Sequence, residues 1–245
     1  MEEVPARLYT DLAWLWPLWG DAATEYADYD AHVVDLIRRH AIGRVDTLLV
    51  IGCGGGKNIF NLKREFEVTG LDISPVMLAQ ARELNPEVGF VHGDMRSIRL
   101  ETCFDAVLMD DAIAHMHRLD DFVAAWRTAH AHLRPGGVLI ATADVTTESF
   151  EQNRTTLGRA GREGLEVVFV ENSYDPDPAD DSCETTIVYL IREQGRLRVE
   201  TDHWKTGLFS RATWRQELEV TGFDVHETGY RYGEDSYVTF ACVKR

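Results

Sequence analysis

The feature that most constrains this chain is a glycine-rich turn that follows a short apolar run. Residues 48–51 are apolar and lead into Gly52-Cys53-Gly54-Gly55-Gly56, and a second run ends at Gly70-Leu71-Asp72. This order predicts a buried parallel strand, a turn where a ligand can touch backbone, and a second strand ending in a carboxylate. Asp72 follows the first glycine by about twenty residues, the spacing at which a βαβ unit delivers an acid to a ribose. We therefore expect a site for a nucleotide-like cofactor.

The spacing of the glycines separates two kinds of nucleotide site. Dinucleotide-binding turns have the pattern G-x-G-x-x-G, whose last glycine packs the helix against the strand. That glycine would fall at position 57 or 59, where the chain has Lys57 and Ile59. A nicotinamide oxidoreductase is therefore disfavoured. A plain tight turn between a strand and a helix is the other alternative.

Charge and composition limit the classes of molecule that this chain is expected to bind. The chain has 245 residues, 44% of them hydrophobic, which suffices for one sizeable core. Acids outnumber bases 41 to 25 and give a formal charge of −16. Such a surface repels phosphate backbones, so a nucleic-acid partner is disfavoured, whereas cationic ligands are attracted. We expect a small-molecule substrate.

Cysteine usage and hydropathy favour a soluble, cytoplasmic protein. The cysteines at positions 53, 103, 183 and 242 are scattered, which argues against a zinc site or a disulfide framework. Residues 1–3 are too acidic to begin a signal peptide. No apolar run approaches the roughly 18 residues that span a bilayer. We expect no metal and no membrane association.

Strands and helices alternate through the first part of the chain. The expected strands are residues 47–51, 67–72, 88–92, 104–109 and 138–143. The expected helices are residues 23–40, 57–64, 75–85 and 120–133, the third capped by Ser74-Pro75. This alternation predicts an α/β fold with a doubly wound parallel sheet.

After residue 145 the pattern changes to consecutive strands. Residues 165–171, 184–192 and 196–205 read as antiparallel strands, the last two joined by a tight turn at Gln194-Gly195. A helix is expected over 211–220 and two closing strands over 224–228 and 237–244. The proline-interrupted acidic segment 175–181 is interpreted as a solvated turn rather than a metal site.

Several motifs together are similar to those of the class I S-adenosylmethionine (SAM)-dependent methyltransferases. They are Gly52-x-Gly54-x-Gly56, Asp72, Gly93-Asp94-Met95, and Leu133-Arg134-Pro135-Gly136-Gly137 before the fifth strand. The resemblance implies a Rossmann-like seven-stranded sheet with an antiparallel last strand. It also implies one domain over residues 1–245. Its parts are a helical cap (1–40), a cofactor-binding core (45–145), an antiparallel insertion (165–206) and a C-terminal helix and strand pair (210–245).

The same resemblance implies SAM as cofactor, with S-adenosylhomocysteine as product. The glycine turn would lie against the methionine part, Asp72 would take the ribose hydroxyls, and Asp94 the adenine amino group. Ile73 and Met77 would pack on the adenine. The full set of implied cofactor-binding residues is Tyr26, Gly52, Cys53, Gly54, Gly56, Asn58, Asp72, Ile73, Met77, Gly93, Asp94, Met95 and Asp110.

Within this family the chain resembles small-molecule N-methyltransferases, including those that dimethylate amino sugars. The likeness rests on Ala6-Arg7-Leu8-Tyr9, Ile113-Ala114-His115-Met116 and Leu208-Phe209-Ser210-Arg211. O- or C-methylation of a small metabolite is the alternative reaction. A non-catalytic SAM-binding protein is a third reading, supported only by Val50, where the family usually has an acid.

Two residues are candidates for the catalytic chemistry. His115 follows the fourth strand at the ligand edge of the sheet and belongs to the residue type that titrates near neutrality. Tyr9 is the second candidate, through its hydroxyl or as a wall of the pocket. Asp111 is expected either to pair with a cationic substrate or to begin a helix. The tryptophans at positions 14, 16 and 19 are expected to form a cap over the site or part of the core, and a homodimer is possible.

Overall fold

Two sheets organise the computed structural model, which describes residues 6–233 and 235–245. Residues 1–5 of the expected helical cap therefore lie outside the described residues. In chain order the strands are β1 (Thr47–Ile51), β2 (Glu67–Asp72), β3 (Gly89–His92), β4 (Phe104–Met109), β5 (Leu133–Ala143), β6 (Arg154–Arg162), β7 (Leu165–Tyr174), β8 (Ser182–Glu193), β9 (Arg196–Gly207), β10 (Phe223–Tyr232) and β11 (Asp235–Lys244). The α-helices are α1 (Ala27–His40), α2 (Lys57–Leu62), α3 (Pro75–Leu84), α4 (Leu119–His132) and α5 (Arg211–Thr221).

The larger sheet has seven strands in the order β10-β11-β5-β4-β1-β2-β3. β1 pairs in parallel with β2 and β4, whereas β11 runs antiparallel to both β5 and β10. The predicted Rossmann-like sheet with an antiparallel last strand is thereby confirmed. The carboxyl ends of β1, β2, β4 and β5 meet at one edge, and this edge holds the candidate site.

Apolar strands explain why this sheet is the core. All six residues of β4 are buried, as expected of a central strand with helices on both faces. One apolar cluster joins α4 and α5 to one face, and a second joins α1 and α2 to the other. The Ser74 hydroxyl accepts the Met77 N–H and so caps α3 where the sequence predicts it.

The smaller sheet is antiparallel, in the order β6-β7-β8-β9. Its first strand, β6, was missed by the sequence analysis, which placed the start of this region at residue 165. Residues 154–162 lack the apolar alternation that marks a strand, and β6 forms because it pairs with β7 along its whole length. The predicted strands of this sheet also extend by several residues.

One further expectation about local structure was wrong. β5 begins at Leu133, so the Pro135-Gly136-Gly137 segment lies within the strand rather than ahead of it. Its pairing with β4 shifts register between Phe104 and Ala106, which accommodates the irregular backbone. The N-terminal cap consists of two short 3₁₀ helices, Arg7–Tyr9 and Ala13–Leu18, ahead of α1.

The N-terminal 3₁₀ segment joins the two sheets. Leu8, Leu12 and Leu15 pack in one cluster with Ile187 and Tyr189 of the smaller sheet. The Ser74 hydroxyl, at the edge of the larger sheet, donates to the Tyr9 carbonyl over 2.6 Å. In the part of the chain that the structure describes, no helix is long and apolar enough to cross a membrane.

Candidate cofactor and substrate site

The turn after β1 requires glycine at its first position. Gly52 has a φ of +73°, and a Cβ added there would lie 2.1 Å from the Ala112 Cβ. Gly54 and Gly56 also have positive φ values. The N–H groups of Gly52 and Cys53 both donate to the Leu71 carbonyl. The turn therefore lies flat across the end of β2 and presents bare backbone to the cavity.

Asp72 stands at the end of β2 beside this turn. One carboxylate oxygen accepts the Gly54 N–H over 2.7 Å, and the other accepts the Ser74 N–H over 2.8 Å. Each oxygen has a second lone pair, so the carboxylate retains two acceptor positions. Burial raises the pKa of Asp72, and these backbone hydrogen bonds oppose the shift. The group is therefore built to accept from paired hydroxyls such as a ribose diol.

The residues expected around an adenine divide into two sets. Ile73 is 59% exposed beside Asp72, and the Gly93 N–H donates to the Asp72 carbonyl, so both lie at the predicted edge. Met77 is fully buried beneath Gly54 and supports the turn from below, so its side chain is not placed on an exposed adenine face. Its Cε lies 3.5 Å from the position that a Gly54 Cβ would occupy.

Asp94 and Met95 lie close to the same edge. Both oxygens of Asp94 accept from the Arg96 guanidinium, which holds the pKa of that carboxyl below its usual range. Met95 packs on the first glycine, with its Cε 3.4 Å from the position of a Gly52 Cβ. Asp94 is therefore a fixed anion next to the turn, and Met95 is part of the turn's wall.

Trp16 covers the glycine turn from the N-terminal segment. Its indole nitrogen lies 3.0 Å from the position that a Gly55 Cβ would occupy, and Gln80 Oε1 lies 3.4 Å from that same position. Neither of these buried atoms has a hydrogen-bond partner among the described residues. A polar ligand on the turn would satisfy both, since buried polar groups otherwise carry a desolvation cost.

The tryptophans at positions 14, 16 and 19 were expected to form a cap over the site or part of the core, and they differ in their surroundings. Trp16 contacts the turn, and Trp19 packs edge-on against Trp16 and at a tilt against Phe169 of the smaller sheet. Trp14 is partly exposed, with the Arg198 guanidinium over its ring.

A buried cation lies under this cap. Lys57 is almost fully buried, forms an ion pair with Glu25, and lies 5.7 Å from the Trp16 ring centre. Asn58, the next residue, donates from its amide to Asp30 over 3.2 Å. Burial raises the pKa of Asp30 to about 7. Asn58 therefore reaches the site through Asp30 rather than through a free amide.

Asp110 ends the neighbouring strand, β4. Because Ile51 and Met109 are partners in the parallel pair of β1 and β4, Asp110 lies beside Gly52. The Tyr29 hydroxyl donates to Asp110 over 2.7 Å and lies 2.8 Å from the Thr142 hydroxyl. Burial raises the pKa of Asp110, and the charge of Asp111 raises it further.

Asp111 and Asp144 form a carboxyl pair at the ends of β4 and β5. Their side chains lie close enough together for each to act on the pKa of the other. Solvent reaches both residues, yet surrounding protein atoms raise both pKa values, the combination expected of groups that line a cavity. Like charge from Asp111 and Asp110 raises the pKa of Asp144 further. Asp111 also begins a 3₁₀ helix, Asp111–His115, which is one of the two alternatives expected for it.

The tyrosines of the site surround this pair. The charges of Asp111 and Asp144 act on the pKa of Tyr9, Tyr26 and Tyr237, which burial raises in each case. Tyr26 is thus near the carboxyls at the ends of β4 and β5, and its expected role toward the cofactor stays a prediction. Tyr237 comes from the antiparallel last strand and was not anticipated.

His115 and Tyr9 meet above the pair. His115 Nε2 lies 3.3 Å from the Tyr9 hydroxyl, and Trp204 of the smaller sheet packs on the other side. Burial lowers the pKa of His115 to about 4. The premise that this histidine titrates near neutrality is therefore wrong. His115 is a neutral wall and hydrogen-bonding group, and its conjugate acid is too strong to hold a proton at neutral pH.

Sequence reasoning missed Asp144, Tyr29, Thr142 and Lys57 as site residues. Asp144 directly follows the last residue of β5, so the strand-end rule that identified Asp110 applies to it as well. Tyr29 lies on the buried face of α1, and no motif in the neighbouring sequence marks it as a site residue. Lys57 served only as evidence against a dinucleotide turn.

The residues present fit the cofactor that the motifs imply. The backbone turn, the free lone pairs of Asp72, the exposed Ile73 and the unpartnered atoms of Trp16 and Gln80 lie along one cleft. An adenosyl amino acid needs an acceptor for its ribose diol, an apolar surface for its base and polar partners for its amino-acid part. These residues offer one of each. Asp110, Asp111 and Asp144 follow β4 and β5 at the same edge of the sheet, next to the glycine turn.

Comparison with known proteins agrees with this arrangement. A family model described as a methyltransferase domain matches residues 48–137. A dTDP-3-amino-3,6-dideoxy-alpha-D-glucopyranose N,N-dimethyltransferase of Streptomyces fradiae is 30% identical over 205 residues, covering 81% of this chain and 78% of the relative. A trans-aconitate 2-methyltransferase of Escherichia coli O157:H7 is 28% identical over 156 residues, 58% of this chain and 61% of the relative.

The fold comparison extends over nearly the whole chain. The crystal structure of DesVI from Streptomyces venezuelae superposes with a TM-score of 0.82 and 25% identity, covering 96% of each chain. The likeness therefore includes the smaller sheet and the N-terminal segment as well as the cofactor core. The chain belongs to the SAM-dependent methyltransferases, and within them it is related to the sugar N,N-dimethyltransferases.

Proposed function

We propose that this methyltransferase methylates an amine nitrogen on a small, sugar-like molecule. The observation that carries the proposal is the pair of solvent-accessible carboxyls, Asp111 and Asp144, that follow the neighbouring strands β4 and β5 beside the glycine turn. Amines are protonated at neutral pH, so an amine substrate arrives as a cation. A cavity that concentrates negative charge attracts such a substrate and can also take its proton.

The same charge argues against a carboxylate acceptor. The trans-aconitate 2-methyltransferase relative acts on trans-aconitate according to its name, and that substrate is an anion. The carboxyls of Asp110, Asp111 and Asp144 would repel it. The charge of the cavity therefore favours the reaction of the sugar N,N-dimethyltransferases over that of the second relative.

The chain's own residues supply binding, orientation and proton acceptance. When bound, SAM supplies a methyl group on a positively charged sulfur, which is a good leaving group. An ammonium substrate must lose one N–H proton before its lone pair can form the new N–C bond. We assign Asp144, with Asp111 as partner, as the acceptor of that proton. Tyr9, His115 and Trp204 close the cavity, which positions the amine and excludes water.

The cofactor contacts follow from the cleft. Asp72 binds the ribose hydroxyls, Ile73 the adenine face, and the backbone of Gly52, Cys53 and Gly54 the methionine part. Asp110, held by Tyr29, takes the position of the family acid that Val50 replaces. Lys57 supplies a cation near the methionine carboxylate. The other residues assigned to the cofactor site are Tyr26, Gly56, Asn58, Met77, Gly93, Asp94 and Met95.

The proposal includes the organisation of the protein. The larger sheet and the smaller sheet act as one methyltransferase domain, with the N-terminal segment as a cap that contacts both. We place this protein in the cytoplasm, where SAM is made, and infer that it forms a homodimer.

Calorimetric titration of the purified chain tests the cofactor assignment. SAM should bind and NAD should not. Asp72→Ala should weaken SAM binding by about 100-fold, because two hydrogen bonds to a charged group are lost. Asp224→Ala is the control, since Asp224 pairs with Arg245 on the surface. Silence with SAM at millimolar concentration overturns the proposal, and unchanged affinity of Asp72→Ala overturns the role of Asp72.

A further inference from the structure

A buried carboxylate of the smaller sheet holds the start of the N-terminal segment. Asp202 lies on β9 and is 4% exposed. One of its oxygens accepts the Arg7 N–H over 2.9 Å, and the other accepts the Leu8 N–H over 2.7 Å. The first oxygen also accepts the N–H of the neighbouring His203 over 2.8 Å, which fixes the carboxylate in place. One side chain thus joins β9 to the first residues of the N-terminal segment.

The two N–H groups that Asp202 binds begin the first 3₁₀ helix, Arg7–Tyr9. The first hydrogen bond within this helix runs from the Tyr9 N–H to the Ala6 carbonyl. N–H groups ahead of the first such bond have no acceptor inside a helix. The methyl side chain of Ala6, the residue before the helix, offers none either. Asp202 therefore supplies, from a distant part of the chain, the acceptors that a capping residue ordinarily provides.

The helix held in this way carries Tyr9 to the cavity. The Tyr9 ring meets the His115 ring edge-on, with 5.2 Å between the ring centres. The Tyr9 carbonyl is bound from the opposite side by the Ser74 hydroxyl, at the edge of the larger sheet. Tyr9 directly follows the two residues that Asp202 holds, so the position of its backbone is fixed from both sides.

The same strand carries the opposite wall of the cavity. Trp204 lies two residues beyond Asp202 and therefore on the same face of β9. Its ring centre is 6.4 Å from that of His115. β9 thus holds one wall directly, as Trp204, and the other wall, Tyr9, through the contacts of Asp202. The separation of the two walls depends on this one strand.

We propose that Asp202 is a positioning residue for methyl transfer, which acts by fixing Tyr9 against His115 and Trp204. The inference rests on the proposed function, in which these three residues close the cavity around the acceptor amine. In-line attack on a methyl group requires that the amine be held within a narrow range of positions, and a misplacement of about 1 Å costs about 100-fold in rate. Loss of the Asp202 contacts should therefore lower kcat.

The cofactor cleft should not depend on these contacts. Asp72 is held by the backbone of the glycine turn and by the Ser74 N–H. Trp16, which covers the turn, belongs to the N-terminal segment, but this part of the segment has an attachment of its own. The Gln80 amide donates to the Ala13 carbonyl over 2.8 Å. The affinity for SAM and the rate of methyl transfer should therefore respond differently to loss of the Asp202 contacts.

A pair of substitutions at Arg7 isolates the backbone contact. Arg7→Pro removes the N–H that Asp202 accepts, and proline is favoured at the first position of a helix. Ala6 has a ψ of 132°, a conformation that suits the residue before a proline. Arg7→Ala is the matched control, because it also removes the guanidinium but keeps the N–H. Asp202 keeps its charge in both variants, so its electrostatic effect on His115 is retained.

Kinetics and calorimetry on these two variants give the first test. Arg7→Pro should lower kcat for the acceptor amine by about tenfold or more relative to Arg7→Ala. The Kd for SAM should differ between the two variants by less than a factor of about two. Equal kcat values overturn the proposal. A loss of SAM affinity as large as the loss of kcat also overturns it, because that result is expected if the contact only stabilises the N-terminal segment.

A spectroscopic test needs no acceptor. A fluorinated tyrosine is placed at position 9, and its fluorine NMR resonance reports the surroundings of that ring. The resonance should shift or broaden in Arg7→Pro and in Asp202→Asn, and it should match the wild type in Arg7→Ala. An unchanged resonance in Arg7→Pro, with circular dichroism showing a folded chain, overturns the proposal. A shifted resonance in an enzyme that methylates no amine supports the placement of Tyr9 by Asp202 and contradicts the proposed function instead.

Discussion

Asp111 and Asp144 lie close enough for each carboxyl to act on the pKa of the other, although they follow different strands, β4 and β5. The two strands are parallel neighbours, so the residues after their carboxyl ends meet at the edge where the cofactor cleft lies. Two carboxyls in contact cannot both ionise easily, and the pair therefore holds a proton at pH values where a single aspartate has lost it.

Replacement of Asp144 tests the proton acceptor. Asp144→Asn keeps the shape of the side chain but removes its basicity, so kcat should fall by about 100-fold. SAM affinity should stay within a factor of about two, because the role proposed for Asp144 is toward the substrate and not toward the cofactor. Steady-state kinetics with calorimetry separates these effects. Asp144→Asn at full kcat would remove Asp144 from the mechanism.

The pH dependence of the reaction rate should also depend on Asp144. The pKa values of Asp111 and Asp144 are raised, and only the form that has lost its proton accepts one from the substrate. The rate should therefore fall as the pH drops below the raised pKa of the pair, and Asp144→Asn should lose that limb of the profile. If the wild type and Asp144→Asn showed the same fall in rate at low pH, that fall would come from titration of the substrate alone.

His115 should remain neutral over the working range. Its pKa of about 4 predicts that the imidazole resonances in a two-dimensional NMR spectrum do not shift between pH 5 and pH 8. His115→Gln should lower kcat by less than about tenfold, since loss of a general base costs ~100-fold or more. Titration of His115 near pH 6.5 would restore it as a candidate base.

The glycine turn offers a matched pair of stability tests. Gly52 and Gly164 both have a φ of +73°, but only Gly52 has a neighbour in the way of a Cβ. Gly164→Ala should cost about 1 kcal/mol of unfolding free energy from backbone strain alone. Gly52→Ala should cost roughly 1–3 kcal/mol more, because the new methyl group collides with Ala112. Urea denaturation measures both, and equal losses would contradict the packing of the turn.

Asp30 should make stability depend on pH. Its folded pKa is about 7 and its ordinary value 3.8, so the folded chain binds the extra proton between these values. Stability should therefore fall as the pH rises from about 4 to about 7, by on the order of 2–4 kcal/mol from this residue. Asp30→Asn should flatten that part of the curve relative to wild type, whereas exposed Asp28→Asn should not. Parallel curves for wild type and Asp30→Asn would contradict the burial of the charge.

Local pattern was enough to predict the cofactor core. The run into Gly52, the strand ending at Asp72 and the Ser74 cap depend on neighbours in sequence, and each lies where it was expected. β6 could not be predicted in this way, because its residues become a strand only by pairing with β7.

The role proposed for Asp144 could not be predicted from neighbouring residues either. Asp144 is recognisable as a strand-end residue, but its contact with Asp111 depends on β4 and β5 being neighbours. The protonation of His115 depends on burial by Tyr9 and Trp204, which come from opposite ends of the chain. Distances across the fold therefore decide the chemistry that residue types only suggest.

The most direct test of the account compares two acceptors that differ in one atom. The enzyme is incubated with methyl-labelled SAM and either an amino sugar nucleotide or the same molecule with a hydroxyl in place of the amine. Mass spectrometry and NMR then locate the label. The account predicts label on the amine nitrogen and none in the hydroxyl analogue. Label on oxygen or carbon of either acceptor would contradict it.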